Sequence, residues 1–551
     1  MPAPRFSVVT PVFETPAEVL GETLKSVRRQ SFPHWELCLV DDASGSPHVR
    51  EVLERARRED ARIQVRYRED NGGIVAASND ALAMARGELV ALLDHDDKLH
   101  PDALAHVAEA IEAAPDADYV YTDEDKIDER GRHASPFLKP DWSPERMRTQ
   151  MYTCHLSVFR RALVEEVGGF DPEFEGAQDW DLVLRVTERA RRVVHVPRVL
   201  YHWRALETST AGAGEDAKPW AFEAGTGAVQ AHCDRIDMQA TVRRDRTDPG
   251  VYHLEPELKA RPSVSVIVPT AGQAREVRYR ETCLVANCVH SIVERSTYED
   301  YEIVLVADES TPAAALDAAR EKAGDRLRVV EYDRPFNFSA KINAGAVRCD
   351  GEYLLLLNDD VEVATPNWIE RMLMYARMPG VGAVGGRLLL EDGRLQHAGV
   401  GFEGGLPGHT YYGVRGDGPG YANAVRIARN LLAVTGACLM TPREMFERVG
   451  GLSTELPVNY NDVDYCLKLR DAGQRIVYDP DLVMLHFESS SRSSDVEDWE
   501  KEFLLRRWSA ATAPDPYSSP YLREGFPRLV SPFLWALRRP PRLKALGRAR
   551  G

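Results

Sequence analysis

Short runs of apolar residues alternate with amphipathic stretches along most of the chain. "ELCLV", "ELVALL" and "YVYT" are continuous apolar runs bounded by polar residues, the pattern of strands buried on both faces. Between them, "VLGETLKSVRRQ" and "LHPDALAHVAEAIEAA" place apolar residues at helical spacing. Strands alternating with helices predict an α/β fold with a mainly parallel sheet covered on both sides. Ligands on such sheets lie at the carboxyl ends of the strands.

The pattern occurs twice, about 260–280 residues apart. "FSVVTPVF" from Phe6 matches "VSVIVPTA" from Val264, and "WELCLVDDAS" matches "YEIVLVADES". "SNDALAMARGELVALLDHDD", ending at Asp97, matches "KINAGAVRCDGEYLLLLNDD", ending at Asp360. "VEEVGGFD", "QDWDLVLR" and "VLYHWR" recur as "FERVGGLS", "NDVDYCLKLR" and "VMLHFES". Six blocks in one order predict two tandem domains, at 1–245 and 263–510. "DRTDPGVYHLEPELKARP" has no apolar periodicity, so 246–262 reads as a linker, and 511–551 as a basic tail.

Length agrees with two domains, since 551 residues exceed what one core of roughly 250–300 residues accommodates. The net charge of −17 argues against a nucleic-acid partner. Eight scattered cysteines without a CxxC pair fit a reduced cytosol. "MPAPR" runs directly into a strand-like segment without a secretory pattern, and no run reaches roughly 18 apolar residues. A cytoplasmic protein, at most peripheral at the inner membrane face, is expected.

Carboxylates cluster where the buried strands end. "LLDHDDK" carries Asp94, Asp96 and Asp97, and "LLNDDVE" carries Asp359 and Asp360. Adjacent carboxylates repel unless a cation neutralises them, and Mg2+ or Mn2+ suits oxygen ligands shared with substrate phosphates. A solvated turn that caps the next helix is the plainer alternative. "VDDAS" and "VADES" retain Asp42 and Asp308, which suit a pyrimidine N–H or a simple helix cap, while Ala307 replaces Asp41. Asp179 and Asp462 begin amphipathic helices about ten residues after a Gly-Gly turn, with Asp181 and Asp464 two residues on. One of each pair can serve the helix dipole while its neighbour faces a cleft. His202 and His486 follow further apolar runs, and their recurrence suggests a site role at a metal or pyrophosphate. "TDEDKID", with Asp123 and Asp125, has no counterpart in the second copy and reads as a binding-loop or surface element.

Taken together, "VVTPVF", "VDDAS", "NGGIVAASN", "LLDHDD", "GGFD", "QDWD" and "YHWR" resemble glycosyltransferase family 2, which has the GT-A fold. The second copy, with "NFSAKIN", "LLNDDVEV" and "YNDVDYCLKLR", is similar to the rhamnosyltransferase-like branch found among bacterial surface-polysaccharide synthases. The resemblance implies inverting transfer from a UDP- or dTDP-linked sugar to an oligosaccharide or lipid-linked glycan. It assigns donor binding to Thr10, Val12, Asp42, Asp94, Asp308 and Asn358. It assigns Mn2+ or Mg2+ to Asp96, Asp97, His202, Asp359, Asp360 and His486, and the general base to Asp179 and Asp462. Gln178 and Asn461 stand where the family often has Glu before the base. A nucleotidyltransferase would need a basic Gly-rich loop after the first strand, and "TPVFETPAE" and "PTAGQAREVR" are poor candidates. One active copy beside a degenerate binding copy is the other alternative. The tail places Phe533, Leu534, Trp535 and Leu537 beside six Lys and Arg residues, suiting contact with an anionic membrane surface.

Overall fold

A computed structural model describes residues 3–128, 131–204, 219–487 and 496–519. The basic tail expected to contact a membrane, from 520 onward, lies outside the described residues.

The first sheet contains β1 (Phe6–Val12), β2 (Trp35–Asp41), β3 (Ile63–Tyr67), β4 (Leu89–Leu92), β5 (Lys98–Leu99), β6 (Tyr119–Ile127), β7 (His133–Phe137), β8 (Ser157–Arg160) and β9 (Val193–Arg204). Their order is β3-β2-β1-β4-β8-β6-β9-β5, with β7 beside β6. Neighbours from β3 to β4 run parallel, β8 runs antiparallel to β4 and β6, and β9 returns parallel to β6. The second sheet repeats this order strand for strand. It runs Leu327–Tyr332, Tyr301–Asp308, Val264–Thr270, Tyr353–Leu357, Cys438–Pro442, Val381–Leu389, Arg475–His486 and Val361–Val363. This is the doubled, mainly parallel α/β architecture that the apolar pattern predicts.

Local causes are visible in β1 and the helix after it. Phe6, Val8, Val9 and Val12 of β1 are all buried, as a strand between two helical layers requires. The helix Ala17–Arg28 buries Leu20, Thr23, Leu24 and Val27, one face at 3.6-residue spacing, and leaves Glu18 and Lys25 outside.

The segment expected to be a linker is built into the fold. β10 (Ala240–Arg244) pairs antiparallel with β11 (Tyr252–Pro256), and Tyr252 and Leu254 are buried in a core shared by both copies. Two apolar residues alternating with His253 and Glu255 are too few to show a period in sequence. The helix Asp498–Thr512 likewise runs through the expected boundary at 510, and Pro516 accepts a hydrogen bond from the Asp141 amide at 2.8 Å. No helix among the described residues is long and apolar enough to cross a membrane.

Charged groups tie β11 to the second sheet. Arg371, only 2% exposed, donates to Glu255 (2.9 Å), Asp479 (2.8 Å), Asp481 (2.9 Å) and the Leu254 carbonyl (3.1 Å). His253 bridges Asp481 (2.8 Å) and Asp245 (2.9 Å). Removing one member of a buried ionic network leaves the others uncompensated, at a cost of about 3–5 kcal/mol. Arg371→Leu is therefore expected to lower unfolding free energy by about that amount. Urea denaturation of the full chain would measure it, and an unchanged midpoint would refute the network's structural role.

Candidate active site

One device fixes the same segment in both copies. After the helix preceding the Gly-Gly turn, Gly169 and Gly451 have φ of +72° and +65°, which favours glycine. A Cβ on Gly169 would stand 2.7 Å from Asn79 Oδ1, and one on Gly451 2.6 Å from Asn343 Oδ1. Each asparagine clasps the next residue: Asn79 donates to the Phe170 carbonyl and accepts from its amide, and Asn343 does the same at Leu452. The clasp leads into the helices Gln178–Thr187 and Asn461–Asp471, whose first turns carry Asp179 and Asp462.

Within each DxD pair of those helices the second aspartate is structural. Asp181 is fully buried in an ion pair with Arg185, and Asp464 accepts from Ser453 and Trp508. Asp179 lines a cleft of about 950 Å³ at the carboxyl ends of β1 and β4. Burial raises its carboxyl above the ordinary aspartate range, with nearby His155 opposing the shift.

Asp94, Asp96, His155, Glu124 and Asp125 line the same cleft. His155 lies 3.6 Å from Asp94 and 3.4 Å from Glu124, stacked on Tyr201. Burial alone would lower its pKa, but the two carboxylates hold it well above the usual histidine value. Burial would raise Glu124, yet Lys139 at 3.0 Å and His155 bring it down to about 2. Asp94 is likewise pushed up by burial and brought lower by His155. Asp96 has no such partner, and burial together with Asp94 raises it despite His95. Asp94, Asp97 and His155 offer three ligand atoms within 4.8 Å of one another.

Strand register corrects several expected assignments. Val9 pairs with Leu92, and its repeat Ile267 pairs with Leu356. Asp96 therefore corresponds to Asp360, Asp94 to Asn358, and Asp97 to buried Val361, one residue from the alignment that the motifs suggest. Asp97 is fully buried beside the cleft; its oxygens accept from the Tyr201 hydroxyl (2.6 Å) and the Arg204 amide (2.6 Å). His202 meets Asp125 (2.7 Å), which also holds His133 (2.9 Å), while its neighbour Tyr201 stacks on His155 and Trp203 lies tilted beside it. Asp125 pairs with His202, whereas its repeat Leu389 pairs with Leu485, so His486 corresponds to Trp203. A slip of one residue exchanges the faces of a strand. That is why two histidines in matching motifs have different neighbours.

The expected donor residues also separate. Val9 and Pro11 line the cleft, whereas Val12 belongs to the core and its carbonyl accepts the Asp42 amide. Thr10 is fully buried. Both Asp42 oxygens are engaged by the Gly72 and Gly73 amides and by Arg68, so this residue anchors the loop before a helix.

In the second copy Asp308 pairs with Lys341 at 2.9 Å, and Lys341 also donates to the Thr270 carbonyl. Thr270 donates to Asp359 at 2.6 Å. Burial and Asp360 push Asp359 up to about 6, against Thr270 and Lys341. His486 contacts Asp360 at 3.1 Å. The Asn358 amide donates to the Ala437 carbonyl at 3.1 Å. Asp462 accepts from the Gly436 and Val463 amides, both at 2.8 Å.

Sequence reasoning missed His155, Glu124 and Lys139 because it weighted residues by recurrence. The strand partners of β8 and Cys438–Pro442 place Ala437 at the position of His155 and Leu388 at that of Glu124. The signal available was the acidic run "TDEDKID" on an otherwise buried strand, which demands buried cations nearby.

The family profile described as glycosyl transferase family 2 matches residues 7–168 and 265–450, more than half of the chain. An uncharacterized protein of Sinorhizobium fredii, y4gI, is 41% identical over 532 residues, covering 94% of this chain and 58% of its own length. The O-antigen biosynthesis protein RfbC of Myxococcus xanthus is 36% identical over 529 residues, covering 94% of this chain and 40% of its own. The chain thus spans about half the length of these relatives. A crystal structure of Staphylococcus aureus TarS 1–349 with UDP aligns at 22% identity and a TM-score of 0.33, over 41% of this chain and 65% of that one. With the family matched once in each half, on sheets of identical strand order, the chain belongs to glycosyl transferase family 2 as a tandem pair of GT-A copies.

Proposed function

We propose that the chain is a bifunctional inverting glycosyltransferase that builds a bacterial surface glycan, each copy using its own nucleotide-diphosphate sugar. One observation carries this reading: each copy pairs an aspartate after its fourth strand, Asp96 or Asp360, with an aspartate opening the clasped helix, Asp179 or Asp462. The printed name of RfbC supports a glycan product, and a lipid-linked acceptor belongs to the same reading.

The carboxylates fit a divalent ion. Asp96 and Asp359 are both raised by burial and a neighbouring carboxylate, a strain that a cation relieves. Asp94, Asp97 and His155, whose ligand atoms converge, would hold Mn2+ or Mg2+ in the first copy with Asp96 beside them, and Asp359, Asp360 and His486 in the second. When bound, such an ion offsets charge developing on the departing UDP or dTDP. Asp179 takes the proton of the acceptor hydroxyl, and its raised pKa makes it the stronger base for that step. Asp462, fixed by two backbone amides, does the same in the second copy. The two centres differ in nearly every neighbouring residue, which favours two different donors.

Three outcomes follow. EDTA is expected to abolish nucleoside-diphosphate release from a panel of UDP- and dTDP-sugars, and Mn2+ or Mg2+ to restore it; full activity without metal would overturn the ion's role. Asp179→Asn and Asp462→Asn should each slow one sugar addition by roughly 10²–10⁴ and leave the other intact. If either variant runs both half-reactions at wild-type rate, that base assignment fails. Because the base works deprotonated, kcat/KM of the first addition should fall on acidification through a pKa above the ordinary 3.8. A flat profile down to that value would contradict the environment described for Asp179.

A further inference from the structure

Two arginines face a cavity between the copies and form no ion pair among the described residues. A cavity of about 90 Å³ lies between the Leu138–Arg146 segment of the first copy and the Gly401–Leu431 region of the second, closed by Asp515–Ser519. Arg146 is 5% exposed and Arg429 8% exposed, and both line it. Arg146 donates to Gln150 Oε1 (2.9 Å) and the Ala422 carbonyl (3.1 Å); Arg429 donates to the carbonyls of Ala424 (2.7 Å) and Ala398 (2.6 Å). All these acceptors are neutral. Nη1 of each guanidinium has no hydrogen-bond acceptor among the described residues.

A guanidinium removed from water without an opposing charge is costly, and two beside one cavity also repel. Asp515 is the single carboxylate among the lining residues. It forms no ion pair with either, accepts from the Tyr517 amide, and is pushed up to about 6 by burial, against the pull of Arg429 and Arg470. It does not balance two cations. Glu145, nearby on the chain, is taken up by Arg475 and Arg148. Other buried arginines here behave differently: Arg371 meets three carboxylates and Arg185 meets Asp181.

We propose that this cavity binds a small oxyanion, a phosphate or a carboxylate, between Arg146 and Arg429. Planar forks of N–H donors match both groups. The cavity has room for a small oxyanion between the arginines, and its open side has room for a sugar that carries one. Tyr411 and Tyr421 supply aromatic walls for a sugar that carries the anion. Tyr421 also lines the first copy's active cleft, as does Ala422, whose carbonyl Arg146 holds. The site therefore joins the two copies at the wall of one reaction centre. It stands independently of the reaction proposed above.

The test is thermal unfolding of the full chain in EDTA, without nucleotide, at constant ionic strength set by chloride. Inorganic phosphate, glucose 1-phosphate and glucuronate are titrated separately. Wild type is expected to gain a saturable rise in Tm with at least one of them, and which one identifies free phosphate, a sugar phosphate or a sugar acid. Asp179→Asn should keep that rise, since this carboxylate lies outside the cavity. The Arg146→Gln/Arg429→Gln double variant should weaken the apparent affinity by roughly tenfold to a hundredfold per charged hydrogen bond lost. Should it fail to fold, Arg429→Lys, which keeps the charge and loses the fork, is expected to weaken the response without abolishing it. No saturable rise in wild type, its loss in Asp179→Asn, or its full retention without the arginines would each overturn the proposal.

Discussion

Carboxylates gathered at the ends of buried parallel strands repel one another, and much of the chain around the two centres answers that repulsion. The fold brings strand ends together on one edge, and the sequence loads that edge with aspartate. The first copy adds cations and donors around the acids: His155 and Lys139 at Glu124, Tyr201 and the Arg204 amide at Asp97, His202 and His133 at Asp125. The second copy instead has fewer acids. Val361, Leu388 and Ala437 replace Asp97, Glu124 and His155, and Lys341 with Thr270 steadies what remains. Both solutions leave a carboxylate raised by burial, Asp96 in one and Asp359 in the other.

The same topology therefore carries two unlike electrostatic settings. Asp96 and Asp360 occupy equivalent strand positions, and Asp179 and Asp462 open equivalent helices, but little between them is shared. The asparagine clasps at Phe170 and Leu452 are the exception, since they concern backbone geometry and not charge.

The architecture was readable in advance because long apolar runs and a repeated motif order are properties of many residues at once. Asp179, against Asp181, could be narrowed to a choice from helical spacing alone. Where the motif alignment and the strand register part, the offset is small: Asp97 lies one step from Asp96 and Val12 one step from Pro11, whereas the histidine of the cleft, His155, stands before β8 and not on the strand of His202. A strand alternates faces at every residue, so an alignment correct to within one position misplaces the side chain completely. Bulges between Thr122 and Glu124, and between Gly386 and Arg387, shift the count differently in the two copies. No motif reports a bulge. Residues present in only one copy, such as His155, were invisible to reasoning by recurrence.

Tyr252, Leu254 and Val264 share one apolar cluster with Trp180 of the first copy and Trp368 of the second. What began as a repeat has consequently lost its seam. A gene divided between Pro256 and Val264 would yield two halves, each with its share of that cluster open to water and with the Arg371–Glu255 pair broken. Change in either copy is thus constrained by the apolar surface it shares with the other.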